Sequence, residues 1–381
     1  MGGTVDPLYE AHNLVRENPY VIVVSIEYRV GVFGFFHLSH LPDGDDYPDA
    51  QNLGLMDQMM ALKWIHENIE GFGGDPENVT IFGESAGGAS VTLLPLVEGS
   101  HEYFQRVIAQ SGSPVFTRST EEAIACTDEV MDKLGCKTVA DLQKVDVEDL
   151  VNASGVLGLR VWAERDGSFL PADPYEAYAD GAAKDLDILQ GCNKDEMNFF
   201  VSSFGLEGWG VWVEERKKGK LAQLPAEEKA LVDSYRKDVG GDWFQPDASL
   251  LSQSWFNAPI IKLSECQTMG GGKSYTYFFT PESPDPVMKC GHAIELAIVF
   301  NHPEATSDMG RAFDENFCRA MRRMWVQFAK TGVPSDNWPL YTLENKEVMV
   351  LDEFNIHPAK ESEVKIVDWD RTYFLTKYYA L

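Results

Sequence analysis

Positive charge is scarce in this chain. Its 381 residues hold 32 Lys and Arg against 60 Asp and Glu, a formal charge of −28. DNA or RNA would be repelled, and no basic patch stands out, so no nucleic-acid partner is expected. The excess acid serves solubility before it serves steering of cationic substrates. Long apolar runs are missing too. None could span a bilayer, so no transmembrane segment is expected. The six cysteines fall at no zinc spacing, and the pattern calls for neither a metal nor a cofactor. There is no internal repeat and no low-complexity tract. What remains is 44% hydrophobic and 12% aromatic, ample for a large core. The length permits several domains, but strands spread along the whole chain favour one elaborated α/β unit.

One stretch carries the chemistry: Gly83-Glu84-Ser85-Ala86-Gly87. It is preceded by Asn78-Val79-Thr80-Ile81-Phe82, a β-branched and aromatic run that reads as a buried strand. It is followed by Gly88-Ala89-Ser90-Val91, small residues that can open a helix packed close to a sheet. Strand, sharp turn and helix form the setting of a nucleophile elbow, in which the serine hydroxyl is exposed above the sheet. The competing reading is a serine that merely caps the next helix.

An acid and then a base should follow in chain order. Leu186 to Gln190 reads as a strand, with Asp195 and Glu196 just beyond its end. That is the side on which parallel sheets place their chemistry. Sequence chemistry alone does not separate these two carboxylates. Ser274 to Thr280 reads as a further strand, with His292 in the loop after it and His302 ten positions later. His37, His40 and His101 fall in loops on the wrong side in chain order, and His66 lies in a helical stretch.

At this point the chain resembles the type-B carboxylesterases, the cholinesterase and carboxylesterase group of α/β-hydrolases. The resemblance rests on Glu27-Tyr28-Arg29-Val30-Gly31, Asn52-Leu53-Gly54-Leu55-Met56-Asp57-Gln58, Phe72-Gly73-Gly74-Asp75-Pro76, Gln110-Ser111-Gly112-Ser113-Pro114 and Asn193-Lys194-Asp195-Glu196. Phe328-Ala329-Lys330-Thr331-Gly332 and Trp338-Pro339 continue it. It implies an α/β-hydrolase fold, a mostly parallel sheet flanked by helices, as a single domain over 1–381 with helical cap insertions at 121–185 and 200–270. It also implies Ser85 as nucleophile, Glu196 as triad acid and His292 as base. Glu84 and Ser111 would support the triad, and Phe199 and Phe200 would line the substrate pocket. The competing readings are ordinary core packing for the two phenylalanines and a turn-capping serine for Ser111.

The resemblance also implies an absence. The oxyanion hole of this family takes one N–H from the residue after the nucleophile, here Ala86, and the others from a glycine-rich loop after an earlier strand. Met1-Gly2-Gly3-Thr4 through Tyr9 resembles the segment just after that loop. The expectation is therefore an N-terminally shortened chain, without the remaining donors and without the strand before them. In that fold the missing strand lies between one read here at Val21–Ile26 and one at Val79–Phe82, so a gap inside the sheet is expected. Buried peptide groups left unpaired there would cost about 1–3 kcal/mol each.

The implied activity is hydrolysis of small carboxylic esters through an acyl-enzyme. The alternative is an impaired fragment or a non-catalytic binding domain of the same lineage. In secreted relatives a disulfide closes a loop near Cys136; here the partner position is Asp141. Mostly free thiols fit a reducing compartment, so a cytoplasmic location is expected over a secreted one.

Overall fold

The computed structural model describes residues 7–158, 160–218, 222, 224–302 and 312–368. Its central sheet has six strands. In chain order they are β1 (Thr80–Glu84), β2 (Arg106–Gln110), β5 (Asp187–Asn193), β6 (Lys273–Phe279), β7 (Glu347–Leu351) and β8 (His357–Lys360). That is also their order across the sheet. The first five run parallel, and β8 closes the far edge antiparallel to β7. A separate two-stranded ribbon pairs β3 (Thr117–Arg118) with β4 (Ala163–Glu164). The apolar runs around residues 80, 187, 274 and 348 do form strands, whereas β8 and the short ribbon left no readable pattern.

Strand alternation divides the core. Val107, Ala109 and Ile188 point into one apolar layer, together with Leu62 and Ile65 of α1 (Leu53–Asn68) and Val91 of α2 (Ala86–Leu93). Their chain neighbours Ile108 and Leu189 point into the opposite layer. Both faces of the parallel strands are thus covered, which is why they read as nearly continuous hydrophobic runs. Further helices are α3 (Thr120–Leu134), α4 (Asn198–Lys218), α5 (Ala226–Val239), α6 (Gln245–Ser252), α7 (Ala258–Met269) and α8 (Glu315–Thr331). The start of α3 is written in its sequence. Ser119 and Glu122 form a reciprocal capping box that satisfies two otherwise orphan N–H groups. Asp314 caps α8 through the N–H groups of Asn316 and Phe317. Trp325 and Phe328 of α8 bury into the second layer. Helices α4 to α6 share a third core with Phe278 of β6 and Val348 of β7. Among the described residues no helix is long and apolar enough to cross a membrane.

One expectation fails. Val21–Ile26 is not a strand and belongs to neither sheet. Its composition suits a strand, but a strand exists only by pairing. The nearest candidate, β1, stands across an apolar cleft lined by both segments. The two neighbours of the expected gap have therefore not closed up. Met1, Gly2 and Gly3 lie outside the described residues.

Candidate active site

Four parallel strands deliver their C-terminal ends to one place. β1 ends at Glu84, and Ser85 follows with φ 57° and ψ −116° before α2 begins at Ala86. A non-glycine residue at such a φ is strained, and it persists only where its surroundings hold it. Here they do. Ser85 N–H donates to Gln110 O at 2.9 Å, and Ala89 N–H donates to Ser85 O at 2.8 Å. A Cβ on Gly83 would lie 2.5 Å from the Gly87 carbonyl, and one on Gly112 would lie 2.4 Å from Ser85 O. The glycines are required by close approach of backbone to backbone. Ala86 is the first residue of α2, where a peptide N–H has no acceptor within the helix. Ser85 is thus not a simple helix cap; its side chain makes no capping hydrogen bond.

β5 ends at Asn193, and the turn after it buries Glu196 completely. Glu196 Oε1 accepts from Ser111 Oγ at 2.6 Å and from Asn193 N–H at 2.7 Å. Glu196 Oε2 lies 2.6 Å from His292 Nδ1, and His292 N–H donates to Glu196 O at 3.1 Å. The carboxylate therefore fixes the imidazole's orientation and favours the tautomer with the proton on Nδ1. Asp195 is turned aside. Its carboxylate lies 4.0 Å from Lys194 Nζ, and burial raises its pKa. His302 Nε2 meets Glu10 O at 2.5 Å and takes no part in the cluster.

His292 Nε2, the atom that should face the nucleophile, lies 3.0 Å from Glu84 Oε1. The angle does not make this a hydrogen bond, and both atoms are buried without a hydrogen-bond partner. The imidazole makes no hydrogen bond to Ser85 here. Burial alone would lower the His292 pKa, but the charges of Glu84 and Glu196 outweigh it and carry it up to about 9. Glu84 is itself pushed up to about 8, first by burial and then by Glu295 and Glu196, against the pull of His292.

Sequence reasoning missed a second layer. Glu295 is fully buried, accepting from Gln110 Nε2 at 2.9 Å and from Asn193 Nδ2 at 2.7 Å. Burial, then the charge of Glu196, raises its pKa. The available signal was a lone acid heading the apolar run Leu296–Phe300, since buried acids need partners. The rings of Phe199 and Phe200 lie 6.2 and 5.5 Å from the His292 ring. Phe256 lies closer, at 4.9 Å. It sits in a π-helical turn, Gln253–Asn257, a form that concentrates at functional sites and has no sequence signature.

The family model described as Carboxylesterase family matches residues 1–366. The chain belongs to the carboxylesterase family. It is 34% identical to the para-nitrobenzyl esterase of Bacillus subtilis (strain 168), over 95% of this chain and 76% of that protein. It is 31% identical to the bile salt-activated lipase of Bos taurus, over 91% of this chain and 64% of that protein. The chain thus spans about three-quarters of the first relative and less than two-thirds of the second. A carboxylesterase of Geobacillus stearothermophilus superposes with a TM-score of 0.82 at 31% identity, covering 96% of this chain and 79% of that one. The fold is the α/β-hydrolase fold. Membership of the carboxylesterase family supports carboxylic ester hydrolysis by a serine esterase, and a non-catalytic binding role is not favoured.

Proposed function

We propose that Ser85, His292 and Glu196 hydrolyse small carboxylic esters through an acyl-enzyme. The observation that carries this is the buried Glu196–His292 contact of 2.6 Å, with His292 Nε2 3.0 Å from Glu84, the residue that precedes a serine held at positive φ. A serine hydroxyl is a weak nucleophile at neutral pH and needs a positioned base. His292 Nε2 turns from Glu84 to Ser85 and takes the Oγ proton as Oγ attacks the ester carbonyl. The Ala86 N–H stabilises the oxyanion that forms. The imidazolium returns its proton to the departing alcohol, leaving Ser85 acylated. Water, deprotonated by His292, then attacks the acyl carbon, and the imidazolium returns that proton to Ser85 Oγ as the acyl–oxygen bond breaks and the acid is released. Glu196 stabilises the imidazolium in both steps. Ser111 and Asn193 hold Glu196, while Glu84 sets how tightly His292 keeps its proton.

Phe199, Phe200 and Phe256 surround the imidazole, so the substrate group next to the scissile bond is apolar. We place the protein in a reducing, cytoplasmic compartment on its six free thiols. The deciding experiment is intact mass after treatment with a fluorophosphonate. The expected result is one phosphonyl adduct on Ser85, absent from Ser85→Ala. An unchanged mass, while a control esterase reacts, would remove the catalytic reading.

A further inference from the structure

His37 and Ser39 precede Ser85 in the chain and take no part in its cluster, yet folding gives them an acid of their own. Ser39 Oγ lies 3.0 Å from His37 Nε2, and His37 Nδ1 lies 2.8 Å from Glu164 Oε2. Base and acid are both buried, His37 at 7% exposure and Glu164 at 1%. A carboxylate against Nδ1 keeps the proton on that nitrogen, so Nε2 accepts from the Ser39 hydroxyl. Serine, imidazole and carboxylate are thus joined by hydrogen bonds throughout. At His292 the same wiring stops one bond short, because Nε2 faces Glu84.

The surroundings hold each member. Glu164 ends β4, and its main chain is clamped by Asn52, which accepts from Glu164 N–H at 2.9 Å and donates to Glu164 O at 3.0 Å. Glu164 Oε1 accepts from Thr120 Oγ1 at 2.7 Å, as Glu196 accepts from Ser111. Phe36 and Leu38, on either side of His37, pack into a small core with Cys126 and Val130 of α3. Ser39 opens a tight turn, closed by Leu41 N–H donating to Leu38 O at 3.0 Å. A Cβ on Gly44 would lie 2.9 Å from Ser39 Cα, so close backbone packing also fixes the turn. The neighbouring His40 is turned aside, with Nε2 2.9 Å from Asp128 Oδ1. Ser39 is half-buried and His40 is exposed, so the turn meets solvent on one side. The His40 N–H makes no hydrogen bond among the described residues.

We propose that Ser39 is a second nucleophile, an acylation site for small activated acyl donors, with His37 as its base and Glu164 holding that base. Ser39 Oγ forms a bond to the acyl carbon while its proton passes to His37 Nε2, and the bond from that carbon to the leaving oxygen breaks. With an aryl ester the phenolate departs, and the imidazolium then gives its proton to water. The His40 N–H, on the residue after the serine, is free to donate to the oxyanion. One spare donor makes a slow site, so the acyl donor must be activated, and a half-buried oxygen admits only a small acyl group. The product is a serine alkyl ester, less activated than the aryl ester that made it, so it accumulates. The same wiring also ties the loop to the β3–β4 ribbon. What exceeds that task is a hydroxyl on an open turn, bonded to an imidazole whose proton position is set.

The probe is p-nitrophenyl acetate in large molar excess, because so slow a site would not consume a stoichiometric phosphonylating reagent. It is applied to Ser85→Ala, so the proposed esterase site contributes nothing and failure of that reading would leave this result unchanged. Peptide mass mapping follows the acetyl group, and thermal melting follows the fold. The expected result is one dominant acetyl group on Ser39, appearing in step with one equivalent of p-nitrophenolate and absent after Ser39→Ala. His37→Gln and Glu164→Gln should each slow it by about 10²-fold or more, the size of a general-base contribution. Should both of these fail to fold, Thr120→Val, which leaves all three members in place and frees only Glu164 Oε1, should slow acetylation in the same direction. A lower Tm with an unchanged acetylation rate would overturn the proposal and leave the three residues a structural tie. Acetyl groups scattered over lysines and exposed hydroxyls, with Ser39 no faster than the rest, would overturn it equally.

Discussion

Glu84 and His292 form an acid–base pair whose charges decide when the proposed base is free. A general base must be neutral, and His292 is carried up to about 9 with Glu84 among the causes. Activity should therefore rise with pH toward that region. Glu84→Gln keeps the shape and removes the negative charge, so the His292 pKa must fall. The rising limb of kcat/KM, which reports the free enzyme, should move to lower pH by about one unit. A limb that stays in place would show that Glu84 does not govern the base. Glu196→Gln should act differently, lowering kcat by about 10⁴ through loss of tautomer control, while Ser85 stays in place. A kcat within tenfold of the parent, an outcome to be read from steady-state assays, would move the acid role elsewhere. Local patterns brought Ser85 to notice. They narrowed the acid to Asp195 or Glu196 and the base to His292 or His302, since these follow readable strands in the order required. The family resemblance then chose Glu196 and His292. Glu295, Gln110 and Phe256 were not legible as site residues. They come from segments 110, 256 and 295 in the chain, each unremarkable until folding joins them.

Elements act here through their ends. The elbow works because β1, α2 and the loop after β2 meet at backbone distance. Gly112→Ala would place a Cβ 2.4 Å from Ser85 O and 2.5 Å from Ala89 N, and neither backbone atom can swing away. The expected outcome is destabilisation of about 1–3 kcal/mol, as for other overpacked positions. It should be seen as a lower Tm together with loss of Ser85 phosphonylation. Normal Tm and normal labelling would mean that the elbow opens without penalty. The same dependence on neighbours explains what the chain pattern conveyed at this scale. β1, β5, β6 and β7 are buried by helices on both faces, so their hydrophobic runs are long and readable. Val21–Ile26 has an equally good run and forms no strand, because β composition records what a segment could pair with and pairing itself is a tertiary event.

The whole molecule adds a field that no element produces alone. With 60 acids against 32 bases, its potential is negative over most orientations of approach. An anionic ester should therefore meet a barrier that a neutral ester of the same shape does not. Such a barrier is long-ranged and is screened once the Debye length shrinks from about 30 Å at 0.01 M salt to about 8 Å at 0.15 M. The comparison is a p-nitrophenyl ester bearing a terminal carboxylate against its methyl-terminated counterpart, assayed across that range. kcat/KM for the anionic ester should be the lower of the two at 0.01 M and should climb with salt, while the neutral ester stays nearly flat. The rise should appear in KM and the association step, with kcat little changed, because screening alters encounter and leaves the buried triad untouched. If both esters respond alike to salt, the charge serves solubility alone and has no part in substrate selection.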